Sequence, residues 1–491
     1  MFQSRLTRLA RSQLRRNRAV AAEGTPTFET VILGGGPAGT GSLVWAAQNG
    51  LLADWLDRGI AIVERSKTGS SLGEYALNAD SPGRSFLECL DGPRCEPPLL
   101  DVRLDRVTEE LEGWRNGHPP LELVDRFERR VYAALVAEVA RHPNSRVFTD
   151  TTARAMYLQP DGSVVVVIRS PDGQREAIHA GSAVVALGGQ PNMSWGGVGD
   201  TTDVDLARWR HKIVSSHRLL KHGGAEQVRR LLAGRERPPR AVIVGGSHSA
   251  FSCAWMLLDH LPDVHFDPHS VQILSRSEPR VTYYSRADAD ADEYRFSESD
   301  VCQATGRVHR LGGLQGDGRQ MWRRIHGKGG VEPDNRAVVR PLGDVPRADL
   351  IALLDDADLI VSAFGYRLAT IPVFDKDGYA LPLARTGPAV GRDARLLDAY
   401  GRAVPGLLGV GLGSGFTPWG GMSGEASFTG QQNSLWLYQH GLGELIYTST
   451  TQYAGAAARQ RRVVGAESIG SEDDRAIPAA VAAHDQGAPQ R

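Results

Sequence analysis

The sequence predicts an α/β protein with two separate nucleotide-binding units, and two observations carry that prediction. The first is the run Val31-Ile32-Leu33-Gly34-Gly35-Gly36-Pro37-Ala38-Gly39. The second is Ala241-Val242-Ile243-Val244-Gly245-Gly246-Ser247-His248-Ser249-Ala250. Each is a short apolar run, then a glycine-rich turn, then a stretch able to form a helix. One such turn is weak evidence in a chain with 56 glycines. Two of them, each with a strand before and a helix after, imply two dinucleotides on one protein.

The first turn has a physical reason at each position. Gly34 lets the chain turn sharply off its strand. Gly36 has no Cβ, so backbone can approach a pyrophosphate. Gly39 lets the following helix pack close to the strand. The predicted helix starts at about Ala38, and its N-terminus offers free N–H groups to phosphate. The predicted helix runs to Gln48 and stops at Gly50. A second strand, Ile60–Val63, ends at Glu64, 25 residues after Gly39. An acid there can accept hydrogen bonds from ribose hydroxyls.

The second turn reads Gly245-x-Ser247-x-x-Ala250, with Ser249 inside it. Ser247 replaces the middle glycine, and Ala250 is an accepted third position. The next strand, Val271–Leu274, is followed by Ser275-Arg276-Ser277. Arg276 stands where the first unit has Glu64, which favours a ribose 2′-phosphate. The pair of turns therefore suggests FAD on the first and NADPH on the second, with hydride passing from nicotinamide to flavin. Both units are expected to be Rossmann-like, the NADPH domain inserted in the FAD domain.

The order along the chain follows. Residues 1–27 are a basic tail with six arginines, and 28–199 form the first part of the FAD domain. That part contains an amphipathic helix from Leu121 to Ala140, with Leu123, Phe127, Val131, Leu135 and Val139 on one face. It also contains a strand pair, Val164–Ile168 and Glu176–His179, turned by Pro171-Asp172-Gly173. Residues 200–237 connect to the NADPH domain at 238–360. The chain returns to the FAD domain over 361–462, with a last helix at Gly424–Tyr438. Residues 463–491 lack periodicity and read as a disordered tail.

Composition bounds the function. Net charge is −1, which supplies no global field for nucleic acid. No apolar run approaches the ~20 residues of a membrane span. The cysteines, Cys89, Cys95, Cys253 and Cys302, include no Cys-x-x-Cys, so a flavin-linked dithiol is not expected. Few cysteines fit a reducing, cytoplasmic setting. A homo-oligomer is compatible with all of this.

No residue declares itself catalytic. The loop Ser70–Asn78 is expected on the flavin side, and Gly415–Gly424 to open the last helix, with Phe416 and Trp419 either packing or lining the site. His248 reads as a neighbour of phosphate or solvent. The acidic stretch Tyr283–Asp300 reads as a mobile, solvated loop. His265 and His269 are four apart, but Pro268 breaks the helix that would align them, and no metal site is expected.

These residues resemble the class B flavoprotein monooxygenases, including the N-hydroxylating amine monooxygenases. The Gly34 turn resembles the family's FAD motif and Gly245–Ala250 its NADPH motif. Leu359-Ile360-Val361-Ser362-Ala363-Phe364-Gly365-Tyr366 resembles its Ala-Thr-Gly-Tyr segment, with Phe364 in place of Thr. Val184-Val185-Ala186-Leu187-Gly188-Gly189-Gln190-Pro191 is an earlier element of that kind. Pro405–Gly413 is similar to the strand and turn that reach the flavin ribityl chain, which implies contacts from Gly411 and Gly413. The Asp that usually follows that turn is absent. The resemblance implies a small-molecule substrate, molecular oxygen as partner and a flavin C4a-hydroperoxide, with hydroxylation at an amine nitrogen as one outcome. An NADPH-dependent reductase passing electrons to an organic acceptor is the alternative. A non-enzymatic flavin-binding protein is disfavoured by the second nucleotide site.

Overall fold

The computed structural model describes residues 27–192, 206–385 and 387–452. The tail expected at 463–491, and all of the basic stretch except Thr27, lie outside the described residues.

The chain opens with strand β1 (Thr27–Leu33), helix α1 (Pro37–Gln48) and strand β2 (Ile60–Val63). Helix α2 (Leu121–Val139) follows, and its predicted apolar face, Leu123 through Val139, is buried. Next come β3 (Arg146–Phe148), β4 (Thr152–Leu158), β5 (Val164–Arg169), β6 (Arg175–Val185) and β7 (Gly189–Pro191). β5 and β6 form the expected antiparallel pair around Gly173. β8 (Ile213–Ser215), β9 (Ala241–Val244), α3 (His248–Asp259) and β10 (Val271–Ser275) come next. They precede α4 (Arg286–Ala291), α5 (Gly316–His326), β11 (Ala337–Pro341) and β12 (Leu359–Ser362). Then come β13 (Tyr366–Leu368), β14 (Val373–Phe374), β15 (Arg395–Leu397), β16 (Ala403–Gly409) and α6 (Leu435–Gln439), with further helix over 441–452.

Two sheets organise these elements. The first has the order β14-β4-β5-β6-β1-β2-β3, with β16 on β6 and β15 on β16. β1 lies parallel between β6 and β2, and Leu33 is level with both Val185 and Val63. The second sheet, β11-β10-β9-β12-β8, is parallel throughout. There Val244 is level with Leu274 and Ser362. Each glycine turn therefore leaves the carboxyl end of a central strand, where open α/β sheets bind ligands. Ile243 and Val361 face one apolar cluster while Val242 and Ile360 face another, as expected of a parallel sheet covered on both sides. All strands of the second sheet fall between β7 and β13, which pair with each other as an antiparallel ribbon. β8 lies inside the stretch read as connector and joins β12.

Two expectations need correction. The helix expected from Gly424 begins only at Leu435, capped by the Ser434 hydroxyl accepting from the Leu437 amide. Residues 411–434 carry seven glycines and Pro418, and their only regular element is the single turn Gly420–Met422. Glycine and proline make a helix there too unfavourable to form. The acidic stretch is also not a single loop: it carries α4, while Asp288, Asp290, Glu293 and Glu298 stay exposed as expected. Tyr283, Ala289, Asp292 and Val301 are buried, and Asp292 pairs with Arg323 at 2.6 Å.

Among the described residues no group of three or more His, Cys, Asp and Glu can hold a metal. All four cysteines are free thiols. No described helix is long and apolar enough to cross a membrane. Phe416 is fully buried in the first core, whereas Trp419 is exposed and donates to the Arg392 carbonyl.

Candidate cofactor cleft

The first turn is shaped by three different demands. A Cβ at Gly34, where φ is +108°, would lie 2.3 Å from the Ala186 oxygen. A Cβ at Gly39 would lie 1.8 Å from the Gly34 oxygen. Those two glycines are required by the protein's own backbone. Gly36 differs: a Cβ there would meet only the Gly69 oxygen, at 3.0 Å. Its open face adjoins the start of α1, which has Pro37 at its first position and no side-chain cap. The free N–H groups of Ala38 and Gly39 can thus serve an anion. Gly411 packs here as well, a Cβ on it lying 3.2 Å from that of Ala38. Gly413 has φ +82° and leaves no room for a side chain against the Arg367 backbone, 2.5 Å away.

Glu64 closes the corner. Its Oε2 accepts from the Gly35 amide at 2.6 Å, and its Oε1 accepts from the Ser66 amide and hydroxyl at 2.8 Å. A carboxylate has about four acceptor positions, so room remains for one ribose hydroxyl. Tyr132 was not legible as a site residue: in sequence it is one more position of an amphipathic helix. Its ring lies under Gly35 and Gly69, and its buried hydroxyl has no hydrogen-bond partner. Burial, and then the Glu64 charge, push that phenol up to about 12. An orphaned hydroxyl beside the acid fits a missing polar ligand.

The second turn is more open. Gly245, with φ +145°, leaves 2.5 Å between a Cβ and the Ala363 oxygen. Ser247 is exposed and does not cap α3 with its side chain. Ser249 is half-buried and Ala250 buried against the sheet. His248 is half-buried, and its Nε2 accepts from the Gln315 amide at 3.0 Å, which fixes Nε2 as the unprotonated nitrogen. Behind Gly246 the buried Ser275 hydroxyl has no partner. Arg276 is exposed just past β10 and makes no hydrogen bond or ion pair with a described residue.

The loop expected on the flavin side joins the two sheets. The Ala76 amide donates to the Leu220 oxygen and the His222 amide to the Glu74 oxygen, each at 3.0 Å. The Tyr75 hydroxyl and His217 Nδ1 are 2.9 Å apart. Asn78 donates to Asp317 at 3.3 Å. Asp80 follows, open to solvent yet surrounded by protein, as in a cleft. Burial raises its carboxyl and Asp317 adds to the rise, while His248 and His118 oppose it.

The chain is 33% identical over 434 residues to a CMP-5′-(3-aminopropyl)phosphonate hydroxylase of Streptomyces rubellomurinus, a match covering 85% of this chain and 96% of the relative. This chain belongs to that hydroxylase's family. It is therefore an oxidoreductase. No family model matches it. Its fold is also similar to an ornithine hydroxylase from Pseudomonas aeruginosa, at 13% identity and TM-score 0.48, covering 87% of this chain and 99% of that one. An L-lysine 6-monooxygenase from Pseudomonas syringae is similar at 16% identity and TM-score 0.46, with the same coverage.

Proposed function

We propose that this enzyme uses FAD and NADPH to hydroxylate an amine nitrogen of a small organic substrate with molecular oxygen. One observation carries the reading: two uncapped helix starts, each at the carboxyl end of a central strand paired in parallel with both neighbours, in a chain of a hydroxylase family. The named substrate of the relative carries an aminopropyl group, which supports nitrogen as the atom hydroxylated here. We further read the sheet of β8–β12 as an NADPH domain inserted in an FAD domain, with the β7–β13 ribbon as the crossing. Four free cysteines support a cytoplasmic setting.

FAD would be held by Gly36, Ala38 and Gly39 at its pyrophosphate, Glu64 at a ribose, and Gly411 and Gly413 along the ribityl chain. Gly34 and Pro37 shape that cradle. NADPH would lie on Gly245, Ser247, Ser249 and Ala250, with Arg276 on its 2′-phosphate. When bound, the flavin supplies hydride acceptance and oxygen activation. The chain's own residues do the rest. The Glu74–Asn78 loop ties the two sheets together. His248 pins the start of α3 to the Gln315 segment, holding the coenzyme turn in register with the cleft.

The test is to reduce the FAD-loaded enzyme anaerobically with NADPH, then admit labelled oxygen gas. Bleaching by NADPH and one labelled oxygen atom on the product nitrogen are expected. Reduced flavin that survives air and reoxidises only with an added quinone would replace this reading with a reductase.

A further inference from the structure

Three arginines, Arg84, Arg307 and Arg310, gather beside the excursion after β10, and a fourth, Arg319, lies against the adjoining Tyr283. Arg84 opens the short helix Arg84–Leu87, far from the others in sequence. Its guanidinium carbon lies 5.9 Å from the centre of the Tyr284 ring, and that of Arg307 lies 5.1 Å from the same ring. Arg310 stands 5.7 Å from the Trp436 ring and donates only a long 3.6 Å contact to the Cys302 sulfur. Arg319 lies 4.5 Å from the Tyr283 ring, and its buried Nε has no hydrogen-bond partner.

None of the four forms an ion pair with a described carboxylate. Their neighbours do: Arg286 pairs with Glu298 and Arg323 with Asp292. Nearby acids are committed elsewhere. Glu88 accepts from the Trp436 indole, and Glu425 accepts from the amides of Leu311 and Gly312. Burial, then the charges of Arg84 and Arg310, hold the Arg307 guanidinium below its usual value. Guanidiniums stay charged regardless, so the folded chain carries uncompensated repulsion here. Cys302 can offset one charge at most.

We propose that Arg84, Arg307, Arg310 and Arg319 form the subsite for a phosphate or phosphonate group on the substrate. A single carboxylate would leave three cations unbalanced. A group with two negative charges and three oxygens matches several guanidinium forks at once. None of the four belongs to either glycine turn. The inference deepens the proposed function by naming a substrate class, and it rests on that function only for the word substrate.

The experiment titrates the FAD-loaded full chain with CMP and, separately, inorganic phosphate, reading the melting temperature of wild type and of an Arg307→Gln, Arg310→Gln double variant. CMP should stabilise the wild type, and the double variant should need at least tenfold more. Anaerobic flavin reduction by NADPH should keep its KM in the variant. If that variant fails to retain flavin, the single Arg84→Gln variant decides, with about a tenfold loss expected. No stabilisation of the wild type by either anion, or equal affinity in wild type and variant, overturns the subsite. So does a tenfold rise in the KM for NADPH with CMP binding unchanged, which would give the arginines to the coenzyme. A wild type that binds CMP yet is not reduced by NADPH would instead refute the proposed function and leave the subsite standing.

Discussion

The two glycine turns share a position in their sheets and differ in how far they are closed. At the first, Gly34 and Gly39 are buried and a neighbouring acid, Glu64, is tied by three hydrogen bonds. At the second, Ser247 is exposed and Arg276 makes no described bond. A pre-closed corner suits a cofactor that stays; an open one with a free cation suits a coenzyme that exchanges each cycle. The difference teaches that a shared motif sets where the turn lies in its sheet, while the residues around it set how far that turn is closed.

The largest effect should come from Gly39→Ala. The added Cβ would meet backbone at 1.8 Å, where no side chain can yield. Loss of about 3 kcal/mol or more is expected, seen as a lower melting temperature and absent flavin. Gly36→Val should separate folding from binding, because its face is open in the protein. The apoprotein should melt as wild type does but fail to take up FAD, and full flavin occupancy in that variant would refute the role of Gly36.

The helices behind the two turns should also respond differently to pH. α6 packs tightly on α1, a Cβ at Gly41 falling 2.3 Å from the Tyr438 oxygen, and Gln439 of α6 meets the buried Glu128 of α2. Burial pushes the Glu128 carboxyl up to about 8 from its ordinary 4.5. The unfolded chain releases that proton above its ordinary value, whereas the fold keeps it to about 8. Stability is therefore full at low pH and falls as pH rises through that window, by about 1.4 kcal/mol per unit. Glu128→Gln should flatten that slope in denaturant titrations; an unchanged slope would assign it to other groups. Behind the second turn the buried titratable group of α3 is Cys253, whose thiol burial pushes up, so it stays neutral there.

The smallest effect should be Arg276→Ala. Losing a charge-assisted contact is worth roughly 1.5–3 kcal/mol, so the KM for NADPH should rise about 10- to 150-fold. The KM for NADH should hardly move. Equal changes for both coenzymes would make Arg276 an ordinary surface charge.

Read alone, the sequence determined the local features: both turns, the strands before them, the hairpin at Gly173 and the amphipathic face of α2. Each rests on contacts within one element or between neighbours, so glycine spacing and apolar period suffice to reveal it. Only the tertiary structure decided what depends on distant partners. It placed the Tyr132 ring under Gly35, set Asp80 near His248 and Asp317, and packed the acidic excursion against α5. It also brought Arg84 to the ring that Arg307 shares. A lone arginine in sequence reads as a solvated charge. Its lack of a carboxylate partner becomes visible only when every neighbouring segment is in place, because ion pairing is a property of the assembled surface and not of spacing along the chain.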